Sequence, residues 1–487
     1  MPDQAVACPE SQLAQRLRIQ PSGHRNVRIE VDASLRDGEL ARQILCALPV
    51  DVYLDLLVKQ PLEAGGYAWA FDEGIAALEA NIDGPAFAPR VGPQCKSCQF
   101  RAAPYEVREG LQDGRMTCWS TQFHLPTEAF VHGTVFDLNN FRGAQGVIES
   151  GKILLQDLDT DDIKFKPELG KISQSHRQWL QCEESRGVVD HPVAITDTLM
   201  TTFAALTYPL HFIDFETATP ALPFHMGRRP YEQILFQFSH HWIEQAGRIA
   251  HVSQHLDSRP GVFPNFITVR ALSRVLGDDD GSVIHWWTHE RTVLKAVRAQ
   301  LLASTDAPVD RDQLITFIDS LVGADGSTGR LIDLGQHVTH PSLFLPGTKG
   351  SSSIKKVLPA LLTHSRRLQE RYRQPTYGAK GGIHSLNFRD QTWVKFDTEG
   401  RVLDPYSLLS GRFNDPALDA LEDADENRPA IADGGYAMVA YSLLQSELLP
   451  PDDRAELQKQ LLRYCELDTL AMVMAFEGLQ DQIEIAA

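Results

Sequence analysis

The spacing of apolar positions changes character partway along the chain. From about residue 206 they fall in short strand-like runs. "YPLHFIDFET" (208–217) places Leu210, Phe212, Ile213 and Phe215 in a run that predicts a buried strand. "YEQILFQFSHHWIE" (231–244) is a second alternating run, and "RIAHVSQHL" (248–256) follows it after a short turn. Consecutive runs joined by short turns predict a meander of three antiparallel strands. Next come a helical stretch (262–277), the apolar run "SVIHWW" (282–287), a helix from "THERTVLKAVRAQLL" (288–302) and the run "RLIDLGQHV" (330–338). A long helix spans "DRAELQKQLLRYCELDTLAMVMAFEGL" (453–479). Three antiparallel strands and then alternating helices and strands predict an α/β domain with a mixed sheet.

Upstream the pattern is less regular. Residues 1–90 combine a strand signal, "RNVRIEVDA" (25–33), with helical stretches around 38–60. A Gly/Pro/Cys-rich section, "GPAFAPRVGPQCKSCQFRA" (84–102), follows, and residues 145–205 read as short helices and connectors. The expected division is a separate α+β domain at 1–125, a helical connector at 126–205 and the α/β domain at 206–487. An insertion at about 365–435 carries an apparent hairpin, "TWVKFDTEGRVLDPY" (392–406).

Composition narrows the class. The 487 residues are 43% hydrophobic and 23% charged, as in a globular protein of more than one core. No apolar run approaches the roughly 18 residues of a membrane span, and the first residues lack a basic-then-apolar leader pattern. A cytoplasmic protein is the expectation. A net charge of -18 argues against coating duplex nucleic acid through a broad basic face. It leaves open one locally basic cleft. Acidic stretches at 157–162 and 419–429 read as solvated loops or helix ends.

Two short patterns carry chemistry. In a strand, Asp214 and Glu216 point to the same side, and two like charges so close need a cation between them. On the last helix Tyr464 and Asp468 are four apart and share a face, with Asp468 among Leu467, Leu470, Ala471 and Val473. Two further acids stand at strand ends: Glu290 in "THERTVL" and Asp333 in "LIDLG". "KGSSSIKKVLPALL" sets Lys349, Ser353, Lys355 and Lys356 around a helix start, where hydroxyls and free N–H groups suit phosphate oxygens. With Arg366, Arg367, Arg371 and Arg373 downstream, this is the most basic stretch, and it is expected to track a substrate's phosphates. Cys95 and Cys98 form a C-x2-C pair, with Cys118 as a third thiol, a pattern that suits zinc or an iron–sulfur cluster. His240, His241, His251 and His255 lack compact ligand spacing, and most are expected to be structural or surface residues.

The order of an acid pair on a first strand, an acid after a later strand, and a Tyr-x-x-x-Asp near the end resembles the DnaQ-like 3′–5′ exonucleases of the RNase H-like fold, in their tyrosine-containing subclass. That resemblance implies two Mg2+ or Mn2+ ions held by Asp214, Glu216, Glu290 and Asp468, with Tyr464 orienting the attacking water. The chain departs at the middle motif, where Glu290 stands for the usual Asp and Trp286 for the usual Asn. The motifs "YPLHFIDFET", "RRPYEQILFQFSHH", "THERTVL", "GSSSIKKVLPALL", "DGGYAMVAY" and "YCELDTLAMV" resemble, in this order, an uncharacterised bacterial family, domain of unknown function 2779. In that family the middle acid is also a glutamate.

The cysteine section is similar to the clusters of RecB-type nucleases associated with CRISPR systems. That likeness implies a 4Fe-4S cluster, with Cys8 as the fourth ligand beside Cys95, Cys98 and Cys118; zinc is the alternative. A RecB-type active site needs Glu-x-Lys, whereas "RIEVDAS" offers Glu30, Val31 and Asp32, so this domain is expected to be a reduced, non-catalytic remnant. The expected function is exonucleolytic hydrolysis of single-stranded DNA or RNA ends, in repair or antiviral defence. The rival is a non-catalytic nucleic-acid-binding or scaffold subunit of a defence or repair complex that retains the fold.

Overall fold

The computed structural model describes residues 17–22, 26–31, 50–59, 62–64, 67–82, 90–102, 106–107, 110–194, 196–304, 308–324, 329–339, 342–409, 435–445 and 449–486. By internal contacts the chain divides between Arg90 and Val91 into two units. The section carrying Cys95, Cys98 and Cys118 therefore shares a unit with the α/β domain. Cys8 and Asp32 lie outside the described residues, as does the acidic stretch at 419–429.

In the first unit the strand expected at 25–33 is present as Asn26–Val31, paired antiparallel with Leu17–Ser22. Two helices, Asp51–Lys59 and Phe71–Ile82, and a short antiparallel pair, Leu62–Ala64 with Tyr67–Trp69, complete its described elements.

In the second unit the predicted strand runs become a five-stranded mixed sheet. The strands are β1 (Leu210–Ala218), β2 (Ile234–Ile243), β3 (Ile249–Leu256), β4 (Val283–His285) and β5 (Leu331–Asp333). Their order in the sheet is β5–β4–β1–β2–β3. The meander β1–β2–β3 is antiparallel, while β4 and β5 run parallel to β1. Helices cover both faces: α1 (Asn265–Leu276), α2 (His289–Ala303) and α3 (Arg311–Val322) on one, α4 (Ile354–His364), α5 (Arg366–Tyr372), α6 (Gly435–Leu444) and α7 (Pro451–Ala486) on the other.

Alternation along β1 assigns each side chain to a layer. Ile213 and Phe215 pack with Val269, Val293 and Ile318 of α1, α2 and α3. Phe212 packs with Leu470 and Phe476 of α7. Asp214 and Glu216 thus face α7. The apparent hairpin at 392–406 reduces to a single bridge, Phe396 with Val402, closed by a turn in which Asp397 accepts from the N–H groups of Glu399 and Arg401. It builds no sheet and lies against the α7 layer through Trp393 and Val394. Residues 91–182 form their own apolar cluster around Trp119, Val135, Leu138 and Ile153. No described helix is long and apolar enough to cross a membrane.

Candidate active site

β1 is the central strand, and its pairing with β4 covers only His211 and Phe212. Beyond Phe212 the two strands part at the point where the chain switches from antiparallel to parallel neighbours. Crevices at such switch points are the usual place for ligands in open α/β sheets. Asp214 and Glu216 lie on this stretch, opposite Ser239 and Gln237 of β2, with a bulge after Glu216 that bends the strand end.

Helix α7 is fastened across this face by polar contacts from β2, two of which set its register. Gln237 Nε2 donates to the carbonyl of Leu461 at 2.8 Å, and Ser239 Oγ lies 2.8 Å from Thr469 Oγ1. Leu461, Cys465 and Thr469 are successive turns of one helical stripe, so the two contacts fix the height and rotation of α7. Cys465 Sγ is thereby set 3.5 Å from Oδ2 of Asp214. Asp214, Glu216 and Cys465 each offer a donor atom, and these all lie within 4.8 Å of one another.

The remaining acids converge on the same place. Burial first, and then the charges of Asp468, Glu216 and Glu290, push the Asp214 carboxyl well above its ordinary range; the Cys465 contact opposes this. Carboxylates from β1, α2 and α7 therefore all bear on Asp214. Glu216, Glu290 and Asp468 are buried, whereas Asp214 is partly exposed. A surface role for Glu290 or Asp468 is excluded by that burial. Asp214 and Glu216 offer oxygens within 4.8 Å of each other, and Asp468 and Glu290 are near enough to act on Asp214; divalent cations prefer such oxygens, so the residues fit the Mg2+ or Mn2+ that the resemblance implies.

Tyr464 stands one turn before Asp468 on α7. Its ring lies 6.2 Å from that of Tyr406, and the Lys355 ammonium sits 5.2 Å from the Tyr464 ring and 5.5 Å from the Tyr406 ring. Tyr406 closes the apparent hairpin, and its hydroxyl donates to Asp468 at 2.5 Å. Burial, and then Asp468, raise its own pKa well above the tyrosine range. Nothing in the sequence marks Tyr406, because 62 residues separate it from its partner.

Asp333, the competing acid, has a different task. Its Oδ1 accepts the N–H of Trp287 at 2.8 Å, and Trp287 has a left-handed backbone (φ 63°) that a bulky residue adopts only when held. Trp286 and Trp287 both donate their indole N–H to the carbonyl of Ser352, at 2.9 and 3.1 Å. Asp333 thus shapes the turn that delivers Glu290, and the tryptophan at the expected Asn position ties that turn to the serine loop.

That loop is itself a built feature. Asn139 donates to the carbonyl of Gly350 at 2.7 Å, and Glu184 accepts from Gly347 N–H at 2.7 Å. Gly350 is left-handed (φ 77°), and a Cβ there would meet the Asp137 carbonyl oxygen at 2.7 Å, so only glycine fits. Lys349 is exposed and beside Glu184, Lys356 is exposed, and Ser353 caps α4 through its backbone with no side-chain cap bond. Of the predicted phosphate contacts, Lys355 is the one brought against Tyr464. Two of the downstream arginines are engaged elsewhere. Arg367 pairs with Asp481 and Glu484, and Arg371 pairs with Glu477 at 2.8 Å, so both serve the packing of α5 on α7.

The structural reading of the histidines holds for the buried ones and acquires a shape. Glu466, fully buried, lies 3.1 Å from His251. From there, contacts of 2.5–3.0 Å run through Ser239, Thr469, His241 and Tyr377 back to Glu466. Ser239 of this closed ring is the cross-strand partner of Asp214. Burial pushes His241 well below the usual histidine range.

In the cysteine section, burial first and then Cys98 and Cys95 push the Cys118 thiol up, so the three thiols are electrostatic neighbours. Cys95 Sγ accepts the Gly92 N–H at 3.5 Å. Cys118 is exposed and the other two are half-buried.

Comparison with known families adds one result. Residues 211–353 match the family model described as Domain of unknown function (DUF2779). The DUF2779 region runs from β1 to the cap of α4 and includes Asp214, Glu216, Glu290, Lys349 and Ser353. Tyr464 and Asp468 lie beyond it. No curated protein and no solved structure matches the chain.

Proposed function

We propose that residues 91–487 form a divalent-metal-dependent 3′–5′ exonuclease that hydrolyses single-stranded DNA or RNA ends. The observation that carries the reading is that Asp214, grouped with Glu216 and Cys465, also feels the charges of Glu290 and Asp468, which come from separated parts of the chain. The sheet supports it: a central β1, two antiparallel neighbours in sequence on one side and two parallel strands on the other is the arrangement expected of an RNase H-like fold.

The four carboxylates would hold two Mg2+ or Mn2+ ions, which supply an activated water and stabilise charge on the leaving oxygen. The protein's own contribution is positioning. The stripe Leu461–Cys465–Thr469 fixes α7, so Asp468 and Tyr464 meet β1 at a set height. Lys355 carries a positive charge to the Tyr464 side of the cluster, where a phosphate oxygen would bind. The Trp286–Trp287 turn and the Ser352 carbonyl hold the serine loop beside the start of α2. Cys95, Cys98 and Cys118 would bind zinc or an iron–sulfur cluster in the same unit. A place in DNA repair or antiviral defence, in the cytoplasm, suits such an activity.

The test is incubation with 3′- and 5′-labelled single strands of DNA and RNA, with Mn2+ or EDTA, beside Asp214→Ala/Glu216→Ala. Metal-dependent shortening lost in the variant supports the proposal. Binding without shortening would instead favour a non-catalytic nucleic-acid-binding subunit.

A further inference from the structure

The middle acid is a glutamate on a helix that packs against the other face of the sheet from Asp214. Glu290 occupies the first turn of α2, whose Val293, Leu294 and Val297 pack with Ile213 and Phe215. Its charge nonetheless acts on Asp214, which faces α7. Directly beneath it is His285, the last residue of β4. Val283, two positions earlier on that strand, packs in the same α1–α3 layer, so His285 faces this layer too.

His285 and Glu290 are 1% and 2% exposed, and Nδ1 of His285 lies 3.3 Å from Oε2 of Glu290. The distance suits a hydrogen bond but the alignment does not. Oε2 and both ring nitrogens of His285 lack a hydrogen-bond partner. Buried polar atoms without partners are uncommon in folded proteins, and those that persist call for a functional explanation. Here an unpaired donor ring and an unpaired acceptor oxygen face each other at the edge of an acid cluster.

We propose that His285 is the positioning residue for Glu290. Its Nδ1–H bonds Oε2 when the other oxygen of Glu290 is engaged by a divalent cation. The inference rests on the metal-site reading above. The terminal carboxylate torsion of glutamate is soft, so a small rotation turns the present contact into an aligned N–H···O bond. This also gives the glutamate a reason. An aspartate is shorter by one methylene and could not rest on His285 while reaching Asp214's cluster. Carboxylate ligands are commonly held by such supporting hydrogen bonds, and loss of the support weakens metal binding about 10–100-fold.

The test is Mn2+ binding to the full chain, followed by electron paramagnetic resonance, for wild type, His285→Leu and His285→Asn. The leucine variant is expected to bind Mn2+ about 10–100-fold more weakly. The asparagine variant, whose amide N–H stands close to the place of Nδ1, should recover most of that loss. Equal binding by the leucine variant overturns the inference, as does an asparagine variant no better than leucine, which would point to packing. Wild type that binds no Mn2+ removes the metal-site reading and this inference with it. A second measurement is independent of the leucine variant's folding. On Mg2+ titration of ring-15N-histidine protein, the His285 N–H signal, identified by its loss in His285→Asn, should move downfield. An unmoved signal overturns the proposal.

Discussion

The hydroxyl of Tyr406 donates a 2.5 Å hydrogen bond to Oδ1 of Asp468, joining the end of the apparent hairpin to the acid of the last helix. The bond orients one carboxylate of the cluster and leaves Lys355 beside both tyrosine rings. Tyr406→Phe keeps the ring packing and removes the donor. Mn2+ affinity is expected to fall about 10–100-fold with little change in thermal stability. Unchanged affinity would show that the bond orients nothing the cation uses.

Asp214 gives a prediction with a definite sign. Its carboxyl is raised well above 3.8, by burial and then by Asp468, Glu216 and Glu290. The folded group therefore keeps its proton where the unfolded chain has lost it. Its contribution to stability is full below the ordinary value and is lost as pH rises through the raised one. In EDTA, Asp214→Asn should melt above wild type at about pH 8, and the gap should close toward about pH 4. Melting curves across that range check it; a variant less stable at every pH would contradict the repulsion.

The thiol of Cys465 changes which cations the cluster should accept. Its sulfur is 3.5 Å from Asp214 Oδ2, and thiolates favour softer metals than carboxylates do. Cd2+ should displace bound Mn2+ at lower concentration from wild type than from Cys465→Ser, read as free Mn2+ by electron paramagnetic resonance. Equal displacement would mean that the sulfur stays a spectator.

Glu466 holds the buried ring together. Burial pushes its carboxyl up, yet the contacts from His251, Ser385 and Tyr377 outweigh this and hold it below 4.5. Glu466→Gln should cost about 1–3 kcal/mol near neutral pH, because the buried donors gathered on the carboxylate lose their charged acceptor. A depressed carboxylate stabilises above its unfolded value and loses that contribution as pH falls through the folded one. The difference between variant and wild type should therefore be largest near neutrality and shrink below 4.5. Denaturant unfolding at several pH values measures it.

The strand runs at 208–256 were legible because a core strand needs apolar, β-branched or aromatic residues in a row, and the sequence has them. The run "SVIHWW" predicted β4, but only Val283–His285 are strand. The left-handed Trp287 ends the strand, and a positive φ at a tryptophan has no local sequence signal. The arginines at 366–373 looked like a phosphate track because exposure and pairing are invisible in sequence; Asp481, Glu484 and Glu477 neutralise two of them from a helix more than 100 residues away.

The sequence by itself determined which residues carry the charge: local patterns put Asp214 and Glu216 on one strand face and Tyr464 and Asp468 on one helix face. Only the tertiary structure decided who stands next to them. Tyr406, Cys465 and His285 reach the acids through side chains that meet after the sheet and helices pack. Such meetings depend on the height and rotation of α7 and on the turn after β4, set by the hydrogen bonds of Ser239 and Gln237 and by the one that Asp333 accepts from Trp287. A periodic pattern records which face of an element is buried. It does not record what that face will touch.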